Sequence, residues 1–177
     1  ENKNSLSTTL VRDIDTPGKH RLDLKPLVTL IAPLYNEEAI VEKSVREICS
    51  YMEGLTDHYR WELLIVNDGS RDRTGSIAED LANENDNIFV HHHNYNRNLG
   101  GALRTGFRLA KGDVVIVLDI DLSYAPEHIE KMLEEMEQTD ADVVVASPYM
   151  RGGKTTKVPA IRLLLSRVVN YFMRVIS

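Results

Sequence analysis

Asp113-Val114-Val115-Ile116-Val117-Leu118-Asp119-Ile120-Asp121 places four β-branched residues in the six positions 113–118 and then stops on two carboxylates. β-branched side chains fit a pleated strand, and a short, uninterrupted apolar run suits one buried on both faces. A strand of this kind ends where its apolar run ends, so Asp119 and Asp121 stand at its carboxyl tip.

Working outward, the same pattern recurs. Leu27–Ala32 is a second continuous apolar run, stopped by Pro33, and Trp61–Val66 a third, ended by Asn67-Asp68-Gly69-Ser70. Asn87–His91 and Asp142–Ala146 complete five predicted strands. Between them lie helical stretches. Val41, Val45, Ile48 and Met52 recur at three-to-four spacing, with Asn36 as the expected cap and Glu37 and Glu38 in the first turn. Asp72–Asn83, Leu99–Ala110 and a segment from Pro126 to about Gln138 read as further helices. Strands alternating with helices predict an α/β fold with a mostly parallel sheet flanked by helices. Ligands of such sheets bind beyond the carboxyl ends of the strands. Here those ends carry Tyr35-Asn36-Glu37, Asn67-Asp68-Gly69, Asp119-Ile120-Asp121 and Ser147.

The 177 residues, 42% apolar and 27% charged, are enough for one domain with a sizeable core. The single cysteine, Cys49, excludes an internal disulfide framework and fits a reducing compartment. No apolar run approaches the roughly 20 residues of a spanning helix, and residues 1–26 lack the apolar centre of a signal peptide. They read as a flexible arm around Thr16-Pro17-Gly18. The formal charge of −6 argues against general nucleic-acid binding. That charge is unevenly spread. Residues 151–177 carry six Lys/Arg and no Asp or Glu, which leaves −12 on residues 1–150.

In this tail, Arg151-Gly152-Gly153 is read as a loop and Pro159–Ser177 as a C-terminal amphipathic helix. Ile161, Leu165, Val168, Phe172 and Val175 form its apolar stripe, and Arg162, Ser166, Asn170 and Arg174 lie on another face. It reads equally as a helix packed on the domain and as one lying on an anionic membrane.

At a strand tip, residues 119 and 121 project to the same side. Two carboxylates about 5 Å apart repel by roughly 3 kcal/mol at an effective dielectric near 20. A divalent cation with oxygen ligands, Mg²⁺ or Mn²⁺, removes that cost and can bridge to phosphate. Two solvated turn carboxylates would look the same. Asp68 can accept a nucleobase N–H or make an Asx turn. The run Asn98–Gly106 lacks the Lys-Ser/Thr of a P-loop, so its glycines are read as allowing close approach of helix and ligand. His91-His92-His93 alternates faces on a strand and is a poor metal site.

In order, Ala32-Pro33-Leu34-Tyr35-Asn36-Glu37-Glu38, Val66-Asn67-Asp68-Gly69-Ser70-Arg71-Asp72, Asn98–Phe107 and Leu118-Asp119-Ile120-Asp121-Leu122 resemble the motifs of inverting family 2 glycosyltransferases of the GT-A (Rossmann-like) fold. Gly152-Gly153 and Ser166-Arg167-Val168-Val169-Asn170 extend the resemblance to its polyprenyl-phosphate branch, over residues 27–177. The resemblance implies a nucleotide-sugar-binding catalytic domain over 27–150 and a basic acceptor loop with a membrane-associating helix over 151–177. It implies that Pro33, Tyr35, Glu37, Asp68 and Ser70 bind the donor, a UDP- or GDP-sugar. Asp119 would lie by the ribose and diphosphate, and Asp121 would bind Mg²⁺ or Mn²⁺, so that these two are the catalytic pair. Ser123 stands where the branch often has a metal-holding Gln. Ala146-Ser147-Pro148 replaces the branch's Gly-Ser-Arg, removing a donor-phosphate arginine. The chain stops at Ser177, where such relatives usually continue.

The expected reaction is transfer of a hexose to a polyprenyl phosphate with inversion, at the cytoplasmic inner face of the membrane. A hydroxyl acceptor needs a carboxylate base late in the sequence, and 151–177 holds no acid. A phosphate acceptor is already anionic near neutral pH and needs cations instead, for which Arg151, Lys154, Lys157, Arg162 and Arg167 are available. A saccharide-hydroxyl transferase and a catalytically silent nucleotide-sugar binder are the alternatives. A receiver-type signalling domain ranks far behind, since the first strand ends in Pro33-Leu34-Tyr35 and the fifth in Ser147-Pro148.

Overall fold

Leu27–Leu34 (β1) is buried almost throughout, as its unbroken apolar run requires of a strand covered on both faces. The computed structural model describes residues 25–122 and 125–146. They fall into two units, divided between residues 123 and 124. In the first, β1 is followed by α1 (Val41–Glu53), β2 (Arg60–Asn67), α2 (Thr74–Glu84), β3 (Ile88–His92), α3 (Asn98–Leu109) and β4 (Val114–Val117). The strands form one parallel sheet in the order β3-β2-β1-β4.

That order follows from right-handed crossovers. The steps β1–β2 and β2–β3 move one way and put α1 and α2 on one face. The step β3–β4 returns past β1 and puts α3 on the other. Ile31, Leu64 and Val66 therefore pack with Ala102 of α3, while Leu30, Leu63 and Ile65 face the opposite side. Each such fully buried side chain is worth about 1.5–3 kcal/mol of transfer free energy. Gly106 is what allows α3 to lie this close, because a Cβ there would stand 2.5 Å from Ile31 Cγ2.

At the amino end of the sheet, Thr29 Oγ1 donates to buried Glu62 at 2.6 Å and accepts the Gly112 N–H at 2.8 Å. Glu62 also accepts the Lys111 N–H. These bonds fix the turn that launches β4.

Two expectations fail. Asn36 does not cap α1, which starts at Val41 with no side-chain cap. Asn36 adopts φ 57° and its Oδ1 accepts the Arg71 N–H instead, so a tertiary partner outcompetes the helix end. Asp142–Ala146 is not a strand, and Val143 and Val145 are about three-quarters exposed. β-branched composition alone does not make a strand without a paired neighbour. The second unit's described residues comprise α4 (Glu127–Thr139), which buries Ile129 and Leu133, with residues 125–126 before it and 140–146 after it. The expected C-terminal helix and basic loop lie outside the described residues.

Candidate active site

The carboxyl edge of the sheet is built from the loops after β1, β2, β3 and β4. β1 and β2 end in register, and the Asp68 N–H continues the ladder by donating to the Leu34 carbonyl at 2.8 Å. Beyond this point the two loops bind each other through side chains. Ser70 Oγ accepts the Asn36 N–H at 3.0 Å and Thr74 Oγ1 accepts the Glu37 N–H at 2.7 Å. Asp72 Oδ1 takes both the N–H and O–H of Thr74, and its Oδ2 the N–H of Glu38. Desolvation pushes the Asp72 carboxyl up, but these hydrogen bonds outweigh it and hold its pKa below the ordinary value.

Pro33 sits in the last turn of the ladder without cost. Ile31 directs its carbonyl to Leu118 on the β4 side, so Pro33, two residues on, also faces that side, and β4 has ended there. The order of the strands reverses between β1 and β4, so the tips of these two strands flank the switch point of the sheet. Tyr35 and Glu37 follow β1 there, and Asp119 and Asp121 follow β4. Ile120 is buried, whereas Asp119 and Asp121 are exposed on either side of it. A Leu122 N–H to Asp119 carbonyl bond closes the turn, with Leu122 at φ 51°. Two carboxylates with no nitrogen or sulfur donor suit a hard cation that keeps waters and phosphate oxygens in its shell, as Mg²⁺ and Mn²⁺ do. Among the described residues no third acidic, histidine or cysteine ligand joins them. Ser123 lies outside those residues, as do Arg151, Lys154, Lys157, Arg162 and Arg167.

On the other flank, a cavity of about 370 Å³ opens between the β1, β2 and β3 loops, lined by Tyr35, Gly69, Ser70, Arg71 and residues 92–96. Asn67 also lines it, and Asp68 lies bonded to His93. Asn67, buried, sets its Nδ2 2.8 Å from His92 Nδ1 and accepts the Ser70 N–H on Oδ1. His92 Nε2 in turn lies 2.7 Å from Glu79 Oε1. Asp68, also buried, accepts from His93 Nδ1 at 2.6 Å and from the Arg97 N–H at 2.9 Å, both on Oδ1. The second ring nitrogen of His93 meets Thr105 Oγ1 of α3 at 2.9 Å. Burial, then the neighbouring His93 and Arg108, push the pKa of His91 down. The histidine run thus divides as its alternation predicts: His93 turns inward to Asp68, while His92 is tied to α2. The signal that could have exposed His93 is its place one step beyond a strand paired with the Asp68 loop.

Among the glycines of 98–106, one gives a close approach, of helix to sheet. Gly106 is needed against Ile31, and a Cβ at Gly100 would meet only open space.

The sequence matches the family described as Glycosyl transferase family 2 over residues 29–174. It is 34% identical to the dolichol-phosphate mannosyltransferase of Pyrococcus furiosus over 140 residues, 79% of this chain and 38% of that protein. It is also 34% identical to the polyprenol monophosphomannose synthase of Mycolicibacterium smegmatis over 151 residues, 82% of this chain and 54% of that protein. The chain therefore spans about half or less of the length of these relatives. Among solved structures, the fold is similar to a mannosyltransferase from Pyrobaculum calidifontis in complex with GDP-Man and Mn²⁺. The TM-score is 0.57 and the identity 25%, covering 71% of this chain and 37% of that one. TarS of S. aureus (residues 1–349) shares the fold at TM-score 0.55 and 23% identity, covering 77% of this chain and 38% of that one. A parallel sheet in the order β3-β2-β1-β4, polar loops along its carboxyl edge and a family match across most of its length agree: the chain belongs to glycosyl transferase family 2.

Proposed function

We propose that this protein moves a hexose from a nucleotide-sugar to a polyprenyl phosphate, with inversion at the anomeric carbon and with a divalent metal. One observation carries the donor half. Along a single sheet edge stand a buried carboxylate (Asp68) after β2, an exposed ring (Tyr35) after β1, and two exposed carboxylates (Asp119, Asp121) after β4. A nucleoside diphosphate has its base, ribose and diphosphate in that sequence. In this reading Asp68 accepts a base N–H, which both uracil and guanine offer. Tyr35, Pro33, Glu37 and Ser70 surround the nucleoside. Asp119 and Asp121, with Ser123, hold Mg²⁺ or Mn²⁺, and the ion supplies Lewis acidity to the departing diphosphate.

The acceptor half is supported by the names of the relatives, a dolichol-phosphate and a polyprenol-monophosphate enzyme. The five cations Arg151, Lys154, Lys157, Arg162 and Arg167 match a phosphate that needs no general base. No helix among the described residues is long and apolar enough to cross a membrane. The reading places the protein at the anionic cytoplasmic face, where the basic residues of 151–177 would meet the lipid.

The test is transfer of labelled hexose from GDP- or UDP-sugars by the full chain with Mn²⁺, offered polyprenyl phosphate in vesicles or free saccharide in solution. Label entering the lipid fraction is expected. Label entering only the saccharide would overturn the acceptor assignment.

A further inference from the structure

Asp68 is only 3% exposed, yet its two carboxylate oxygens are treated unequally. Oδ1 receives two donors, His93 Nδ1 at 2.6 Å and the Arg97 N–H at 2.9 Å, and no described residue donates to Oδ2. Oδ2 is not sealed away, because Trp61 Nε1 is the one fully buried side-chain polar atom left without a partner among the described residues. A nearly buried carboxylate oxygen that lacks a protein donor is costly unless something from outside supplies one.

The His93 ring is itself immobilised. It is 5% exposed, its Nε2 meets Thr105 Oγ1 at 2.9 Å, and its backbone N–H donates to the Asn67 carbonyl at 2.9 Å. A neutral ring that donates from Nδ1 accepts the Thr105 hydroxyl proton at Nε2. The imidazole is therefore a strut between α3 and the tip of β2. Turning the Asp68 carboxylate would break the bonds to both donors of Oδ1.

We propose that His93 is a positioning residue for nucleobase recognition: by occupying Oδ1 of Asp68 it leaves Oδ2 as the acceptor for the base N–H. This rests on the reading of Asp68 as the base acceptor, and it assigns the orientation of that acceptor to His93 through its bond to Oδ1.

Two substitutions separate this role from packing. Asn Nδ2 and His Nδ1 are both bonded to Cγ, so His93→Asn keeps the donor to Asp68 and gives up Thr105. Gln Nε2 reaches the place of His Nε2, so His93→Gln keeps Thr105 and gives up Asp68. Binding of UDP and GDP is measured calorimetrically with Mn²⁺ on the full chain, with inorganic pyrophosphate as a ligand that has no base. Expected are nucleotide affinity within about threefold of wild type for His93→Asn and a loss of about ten- to hundredfold for His93→Gln. Pyrophosphate binding should stay unchanged in both. The reverse order, equal losses, or a matching loss of pyrophosphate would overturn the proposal.

If His93→Gln does not fold, His93→Asn is compared with Asp68→Asn. Affinity near wild type in the first and lost in the second supports the role of the bond to Oδ1, and equal loss rejects it. Asp68→Asn binding nucleotide normally would sink the base reading and the proposal with it. Asp68→Asn losing affinity while His93→Gln keeps it would sink the proposal alone.

Discussion

The backbone of Tyr95 covers the Cα of Gly69: a Cβ built on Gly69 would lie 2.5 Å from the Tyr95 carbonyl carbon. Gly69 also has φ 71°, so side chains are excluded by conformation as well as by space. The loops after β2 and β3 thus touch backbone to backbone, and the cavity beside Tyr35 depends on it. Gly69→Ala should cost about 1–2 kcal/mol for the left-handed conformation and about 1–3 more for the overlap. Urea unfolding should show the lowered midpoint, and nucleotide affinity should fall with it.

Asp119 and Asp121 are exposed, so removing either should leave the fold within about 0.5 kcal/mol of wild type. Asp121→Ala should nevertheless weaken Mn²⁺-dependent nucleotide binding by about ten- to hundredfold. Calorimetry with and without Mn²⁺ measures this. Affinity that ignores both metal and substitution would contradict the metal assignment.

Thr29 holds the only hydroxyl that links β1, buried Glu62 and the Gly112 N–H among the described residues. Thr29→Val keeps the shape and deletes the donor, leaving a buried carboxylate oxygen short of one bond. A loss of about 1–3 kcal/mol is expected from the unfolding midpoint, with an unchanged denaturant slope.

Cys49 lies on the buried face of α1, where burial first, then Glu53, push its thiol pKa up to about 11. The fold therefore binds this proton more tightly than the unfolded chain does. Its contribution is complete below the ordinary thiol pKa of 9.0 and is lost as pH rises toward about 11. Unfolding free energy should decline over that interval in wild type and less so in Cys49→Ala. At pH 8 a disulfide reagent should label the folded protein far more slowly than the denatured one.

If the 151–177 tail lies on an anionic surface, each cation contributes about 1 kcal/mol of attraction. Replacing Arg162, Arg167 and Arg174 by Glu should abolish flotation with phosphatidylserine vesicles and leave UDP or GDP binding intact. Unchanged flotation would reject the interfacial role.

Most of the fold was legible because its strands are short and apolar throughout. Leu27–Ala32 and Trp61–Val66 can be read without knowing their neighbours, since both faces of each are covered. Asp113–Leu118 is read from its β-branched run, although β4 is only half-buried and Val117 is 40% exposed. Asp142–Ala146 has the same composition, but pairing is a long-range property that composition does not carry. At the site, Asp68, Asp119 and Asp121 were visible as acids at strand tips. His93 and Thr105 were not, because the distance between β3 and α3 appears only when the chain is folded. Asn36 failed as a cap for a related reason: its partner, the Arg71 N–H, lies 35 residues away.

The backbone N–H of Ser70 can only give a proton, so Asn67 must present oxygen to it and nitrogen to His92. His92 must then keep a lone pair on Nδ1 and carry its proton on Nε2, toward Glu79. An atom that no substitution can remove, short of proline, thereby dictates the tautomer of a ring on the next strand. The inheritance of these positions is constrained accordingly. Asp at 67 would set lone pair against lone pair unless His92 gained a second proton. Evolution of this corner should proceed by paired exchanges at 67 and 92, and seldom by single ones.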